Sequence, residues 1–212
     1  MTRIGLVHGL GGSAATMAPL AQLLAANGHD VATVTLPGHG TNPEDLVGIG
    51  WSDWLAAVPH ADVLIGQSMG ASLALTVAAV HDHLLGVVAI NAPAADPDAL
   101  EGLEWRRSRG HDWIDGPDLA PGEVGYSRFP VTALVEMVEG SLAIDLAAVD
   151  CPLLLVNSAH DDVVDPMTAD VIADSVTGEV TRLTLPNSGH VATMGPDLQL
   201  LADAVLAAIS QW

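Results

Sequence analysis

Residues 62–75 read DVLIGQSMGASLAL, and no other stretch limits the fold of this chain so tightly. The apolar run Val63-Leu64-Ile65 has the length and branching of a buried strand. It runs into Gly66-Gln67-Ser68-Met69-Gly70 and then into a small-residue helical pattern, Ala71 to Ala79. A strand that becomes a helix within so few residues turns sharply, and a serine stands at the turn. Gly66 and Gly70 flank it because a side chain at either place would crowd the turn. Met69 opens the helix, and its N–H faces the place where negative charge would build up beside the serine hydroxyl. A glycine-bracketed serine alone is a frequent accident. Framed by a buried strand and a helix, it reads as a nucleophile raised clear of a sheet.

The rest of the chain repeats the same rhythm. Arg3 to His8 reads as a strand and Pro19 to Ala26 as a helix closed by Asn27-Gly28. Val31 to Leu36 reads as the second strand, and a helix around Trp51 to Ala57 leads to the serine strand. Further strands are expected over Gly86–Ile90, Pro152–Asn157 and Val180–Leu185, before a last helix from about Asp197 to Ile209. Alternation of this kind makes a largely parallel sheet with helices on both faces, an α/β fold. The 212 residues suffice for one sizeable core. Residues 91–150 break the rhythm. They hold Arg106, Arg107, Arg109 and Arg128, and also Trp105, Trp113, Tyr126 and Phe129. The expected organisation is one domain, with a core of residues 1–90 and 151–212 and a cap or lid at 91–150 over the site.

Charge excludes some partners. The formal net charge is -20, and all six cationic residues are arginine. Such a chain repels nucleic-acid phosphates and anionic membranes. No apolar run approaches the ~20 residues that span a bilayer, so no stable membrane insertion is expected. The opening MTRIGLVHGLGG does not read as a signal peptide, and a cytoplasmic location is expected. The single cysteine, Cys151, precedes an apolar strand and reads as a buried, inert thiol.

A serine hydroxyl becomes a nucleophile when a base takes its proton and a third group orients the base. Of nine histidines, His190 is best placed, in a loop between the last strand and the last helix. The acid should lie between serine and histidine, in the loop Asn157 to Val164, where Asp161 and Asp162 compete. All these groups then sit at the carboxyl ends of strands, where open α/β sheets bind ligands. His160 is a rival base but lies beside the acid. His39 either lines the pocket or caps its loop. His81 and His83 lack a ligand set, so no metal is assigned, and no cofactor is expected. A second oxyanion donor belongs in the loop after the first strand, where Gly9 lets the N–H of Leu10 turn inward. His8 is expected to hydrogen-bond that loop. The apolar side chains of Trp105, Trp113 and Met137, with Val131 and Leu134, are the candidate substrate contacts beneath the cap.

Taken together, LVHGLGGS, LPGHGTNPEDL, GQSMGAS, AHDDVVDP and NSGHV resemble the α/β-hydrolase superfamily, in the family's order and over nearly the whole chain outside the cap. Within it the chain is most similar to small bacterial carboxylesterases and monoacylglycerol lipases. The resemblance implies Ser68 as nucleophile, His190 as base and Asp161 rather than Asp162 as acid. It likewise implies Leu10 and Met69 as oxyanion donors. It implies a small-molecule ester substrate with a small to medium acyl chain, cleaved through an acyl-enzyme. A thioester or carbon–carbon substrate on the same residues is the alternative, or a ligand-binding protein that kept the fold. The family usually has two strands ahead of the His-Gly loop; here the sheet should have six strands, all parallel.

Overall fold

The computed structural model describes residues 1–117, 119 and 124–212. Its strands form where the sequence is most apolar. Strands β1 (Arg3–Val7), β3 (Val63–Gln67), β4 (Gly86–Ile90) and β7 (Leu153–Ser158) are buried almost throughout. Strands β2 (Asp30–Thr33) and β8 (Val180–Leu185) are half-exposed and close the two edges. The six lie in the order β2-β1-β3-β4-β7-β8, and every pairing is parallel.

Alternate residues of the central strands feed opposite layers, as a two-residue period requires. Ile4, Leu6, Ile65, Val88 and Val156 pack under α1 (Ala14–Ala26) and α7 (Leu198–Ile209). Leu64, Val87, Ala89 and Leu155 pack under α3 (Met69–Val80) and α6 (Thr168–Ser175). A third cluster, around Leu36, Trp54, Met69, Leu73 and Phe129, fills the space beside α2 (Trp51–Ala56).

Two elements depart from their expected bounds, each for a physical reason. α1 begins at Ala14, ahead of Pro19. Proline favours a helix's first turn, but here Thr16 and Met17 are buried ahead of it, and Ser13 Oγ caps the Ala15 N–H. β2 ends at Thr33 and does not reach Leu36. The chain leaves the sheet there because the Leu36 N–H donates to His8 Nε2 at 3.0 Å.

Between β4 and β7 run α4 (Pro97–Ser108), the antiparallel pair β5 (Trp113–Asp115) and β6 (Arg128–Pro130), and α5 (Val131–Leu142). Part of the expected cap, Asp118 and residues 120–123, lies outside the described residues. The two helices behave differently. No residue of α4 is buried. α5 buries Val131, Ala133 and Val135, and its Glu136 accepts the Trp51 N–H at the start of α2.

Candidate active site

The turn after β3 is set by backbone contact. A Cβ at Gly66 would strike Gly70 O, and one at Gly70 would strike Val7 O and His8 O. Only hydrogen fits at both positions, so the glycines the sequence singled out are dictated by close approach. Ser68 has φ 55°, a left-handed conformation that a serine adopts only under constraint. Its N–H donates to Ile90 O at 2.8 Å, which ties the turn to β4. The helix that follows starts at Met69, and the N–H of such a first residue has no partner within its helix.

The loop after β1 closes on the same place. A Cβ at Gly9 would lie 3.0 Å from Ser68 Cβ, so the loop needs glycine to rest on the serine. His8 is fully buried and orders this loop. Its Nδ1 lies 2.7 Å from Gly9 O, and its Nε2 accepts from Leu36. Accepting at Nε2 leaves the proton on Nδ1, so the ring is neutral. Burial pushes the His8 pKa down to about 4. Among the hydrogen bonds of the described residues, neither the Leu10 nor the Met69 N–H donates to a protein acceptor.

His190 lies beyond β8, where the sequence puts it. Its Nδ1 is 2.9 Å from Asp161 Oδ2 and 3.0 Å from Oδ1. Burial raises the Asp161 pKa, but the His190 hydrogen bond and charge and the amides of Val164 and Val163 outweigh it. The carboxyl stays below its ordinary value. Asp162 makes no such contact and stands exposed at the rim. Ser68 and His190 line one cleft of about 730 Å³. Among the described residues no direct hydrogen bond joins Ser68 Oγ to His190, a looseness common in unliganded hydrolytic sites.

The His190 loop is tied down at several points. Asp197 accepts from the Asn187 N–H at 2.7 Å and from Ser188 Oγ at 2.9 Å. The Thr193 N–H reaches Gln67 Oε1 at 3.3 Å, joining the loop to the residue before Ser68. Asn91, fully buried, donates to His190 O at 2.8 Å and accepts from the Ser158 N–H at 2.8 Å. The ties of Gln67 and Asn91 have no mark in the sequence, because each joins residues far apart in the chain.

The expected substrate contacts lie elsewhere. Trp105 is 56% exposed on α4, with the Arg109 guanidinium over its ring at 5.2 Å. Trp113 is covered by Arg128 at 4.6 Å. Met137, with Leu134, packs against the third cluster. None of these, nor Val131, lines the cleft. Cation–π pairing explains the tryptophans, since an arginine lets a large ring sit at the surface. The apolar wall instead comes from Leu10, Tyr126, Phe129, Val191 and Met194, with Pro117, Leu119 and Val124. Phe129 packs closely on Gly11, where a Cβ would lie 2.6 Å from Phe129 Cε1, a contact with no local mark in the sequence. Of the rival histidines, His160 lines the cleft and His39 is buried with Nδ1 2.9 Å from Pro37 O. His81 and His83 stand with His60 in a separate surface group.

A parallel sheet with a serine lifted at a strand-to-helix turn, and an acid–imidazole pair facing it from two later loops, defines the α/β-hydrolase class. Residues 6–204 match the alpha/beta hydrolase family, and the chain belongs to it. It is a hydrolase of the esterase and lipase kind. It is 31% identical to a thermostable monoacylglycerol lipase of Bacillus sp. (strain H-257), over 95% of this chain and 87% of the lipase. A solved structure from work on LipS and LipT, two metagenome-derived lipolytic enzymes, superposes with a TM-score of 0.89. It is 30% identical, over 99% of this chain and 94% of that one. The monoacylglycerol lipase of Paleococcus ferrophilus shares the fold, with a TM-score of 0.78 at 16% identity, over 99% of this chain and 95% of that one. Among the described residues no helix is long and apolar enough to cross a membrane.

Proposed function

We propose that the protein cleaves carboxylic esters through an acyl-enzyme formed on Ser68. The observation that carries this reading is the Asp161–His190 pair, with its imidazole on the same cleft as the Ser68 hydroxyl. Ser68 Oγ attacks the ester carbonyl as His190 Nε2 takes the hydroxyl proton. Asp161 accepts the Nδ1–H, which holds the tautomer and stabilises the imidazolium. The Leu10 and Met69 amides donate to the oxyanion. Each such donor is typically worth ~3–4 kcal/mol in the transition state. The tetrahedral intermediate collapses, the alcohol leaves with the proton from His190, and the acyl group stays on Ser68. Water, deprotonated by His190, then releases the acid and restores the serine.

The apolar wall of Leu10, Tyr126, Phe129 and Met194 suits an acyl chain of small to medium length. A relative named as a monoacylglycerol lipase supports an ester substrate that carries an acyl chain. Residues 91–130 act as the cap, and α5 belongs with the core on which it packs. A fluorophosphonate probe tests the reading. The wild-type chain is expected to be labelled, and Ser68→Ala to be blank. An unlabelled wild type overturns an acyl-enzyme on Ser68 and favours a ligand-binding protein. Nitrophenyl esters of increasing chain length, run beside matched thioesters, then test the substrate. Faster turnover of the thioesters replaces the ester assignment.

A further inference from the structure

We propose that Asn91 is a positioning residue for hydrolysis, holding the acid loop and the base loop in register through one side-chain amide. The inference rests on the reading of Ser68, Asp161 and His190 above. Asn91 is the first residue beyond β4, the strand between the one that ends at the serine and the one that leads to the acid. It has no solvent exposure. Its φ is 47°, so Asn91 and Ser68 are the two non-glycine residues with positive φ among those described. Asparagine tolerates this conformation better than most residues, but a residue is held there only where its surroundings impose it.

Every polar atom of the side chain is used, and its bonds reach the end of β7 and the His190 loop. Oδ1 accepts the Ser158 N–H at 2.8 Å, and Nδ2 donates to Ser158 Oγ at 3.0 Å. Its other hydrogen goes to His190 O at 2.8 Å, with Gly189 O at 3.4 Å. Ser158 ends β7, three residues before Asp161. The backbone joins the same frame: the Asn91 N–H donates to Val156 O at 2.8 Å, and the Ser68 N–H donates to Ile90 O at 2.8 Å. One planar group thus fixes the spacing between the strand that delivers the carboxylate and the main chain that carries the imidazole. The imidazole pivots from its own backbone, so a shift of the His190 carbonyl swings Nε2 relative to Ser68 Oγ.

The loop has further anchors, Ser188 to Asp197 and Thr193 to Gln67. Loss of the amide therefore leaves the loop folded but out of register. A plain space-filling role would lower the amount of folded protein and leave each surviving site fully active. The two are separated by counting sites with the fluorophosphonate and expressing kcat per labelled serine. Asn91→Ala removes the amide and keeps the backbone demand, and Asn91→Gly removes the amide and relieves that demand. Asn91→Asp keeps the shape but sets a carboxylate oxygen against the His190 carbonyl. In all three, kcat per labelled site is expected to fall by up to ~10²-fold, as for a misplacement of about 1 Å, with KM within about threefold. Full kcat per labelled site in Asn91→Gly overturns the proposal, even if that variant melts early. Should Asn91→Gly give no folded protein, Asn91→Asp decides by the same reading. A wild type that the probe does not label marks failure of the serine mechanism itself, a different result from a labelled wild type beside a fully active Asn91→Gly.

Discussion

Around Ser68 the chain is held by backbone against backbone, whereas α4 rests on α5 and stays open to solvent. The glycines at 9, 66 and 70 let three segments meet with no room for a methyl group, and buried polar side chains tie β3, β4 and β7 to the His190 loop. α4 buries no residue, and the guanidinium of Arg109, just past its end, lies over its tryptophan. On the proposed mechanism, the tight packing falls where the chemistry is. Acyl transfer needs its groups placed to a fraction of an ångström, and only packed backbone and buried hydrogen bonds hold them so.

The contrast breaks first at the chemistry. Ser68→Ala is expected to lower kcat by on the order of 10⁶, with Ser68→Ala/His190→Ala hardly worse. Asp161→Asn is expected to cost about 10⁴ in kcat and Asp162→Asn close to nothing. Steady-state rates decide, and the reverse order of the two aspartates would move the acid by one residue.

One substitution made in both regions sharpens the contrast. Gly70→Ala drives a methyl into Val7 O and His8 O, and about 3 kcal/mol of stability is expected to go. Gly102→Ala, in α4, meets nothing within 4 Å, and an alanine there should add ~0.5–1 kcal/mol of helix stability. Urea denaturation of the two variants measures both signs. Equal destabilisation would remove the distinction.

Acid gives a third test, confined to the tightly packed side. Burial depresses the folded-state pKa of His8 to about 4, from 6.5 when unfolded. Below 6.5 the unfolded chain binds a proton that the native ring refuses. Stability therefore falls as pH drops from 6.5 to about 4, by up to ~3 kcal/mol from this residue. His39 is shifted the same way by burial. Asp161, depressed, adds to the loss only as pH falls through the carboxylate range. Denaturation midpoints against pH should show a flatter slope between 6.5 and 4 in His8→Gln than in the wild type.

The smallest expected effect concerns substrate. Phe129→Ala opens the apolar wall and should lower kcat/KM for longer acyl esters about tenfold relative to acetate. Trp105→Ala, outside the cleft, should change neither by more than about twofold. An ester chain-length series on both variants checks this, and a strong Trp105 effect would bring α4 back to the site.

What was legible in the chain and what was not divide along a physical line. The serine turn, its two glycines and the strand–helix alternation are local signals, because a β-to-α turn with no space for Cβ is written in neighbouring residues. The six strands were legible for the same reason, with β2 overextended to Leu36 because the His8–Leu36 bond that ends it spans 28 positions. The aromatic content of residues 91–150 carried the expectation of a cap. It did not say which rings face inward, and Trp105 and Trp113 turned to arginines while Tyr126 and Phe129 turned to the cleft.

The sequence by itself determined the class of fold, the serine turn and the order in which the reactive groups appear, since each is set by residues adjacent in the chain. Tertiary structure set the contact of Asp161 with His190, the wall of the cleft and the hydrogen bonds of Asn91. Those depend on which distant segments share a buried hydrogen bond or a surface, and the parallel sheet settles that by bringing separate strand ends to one rim.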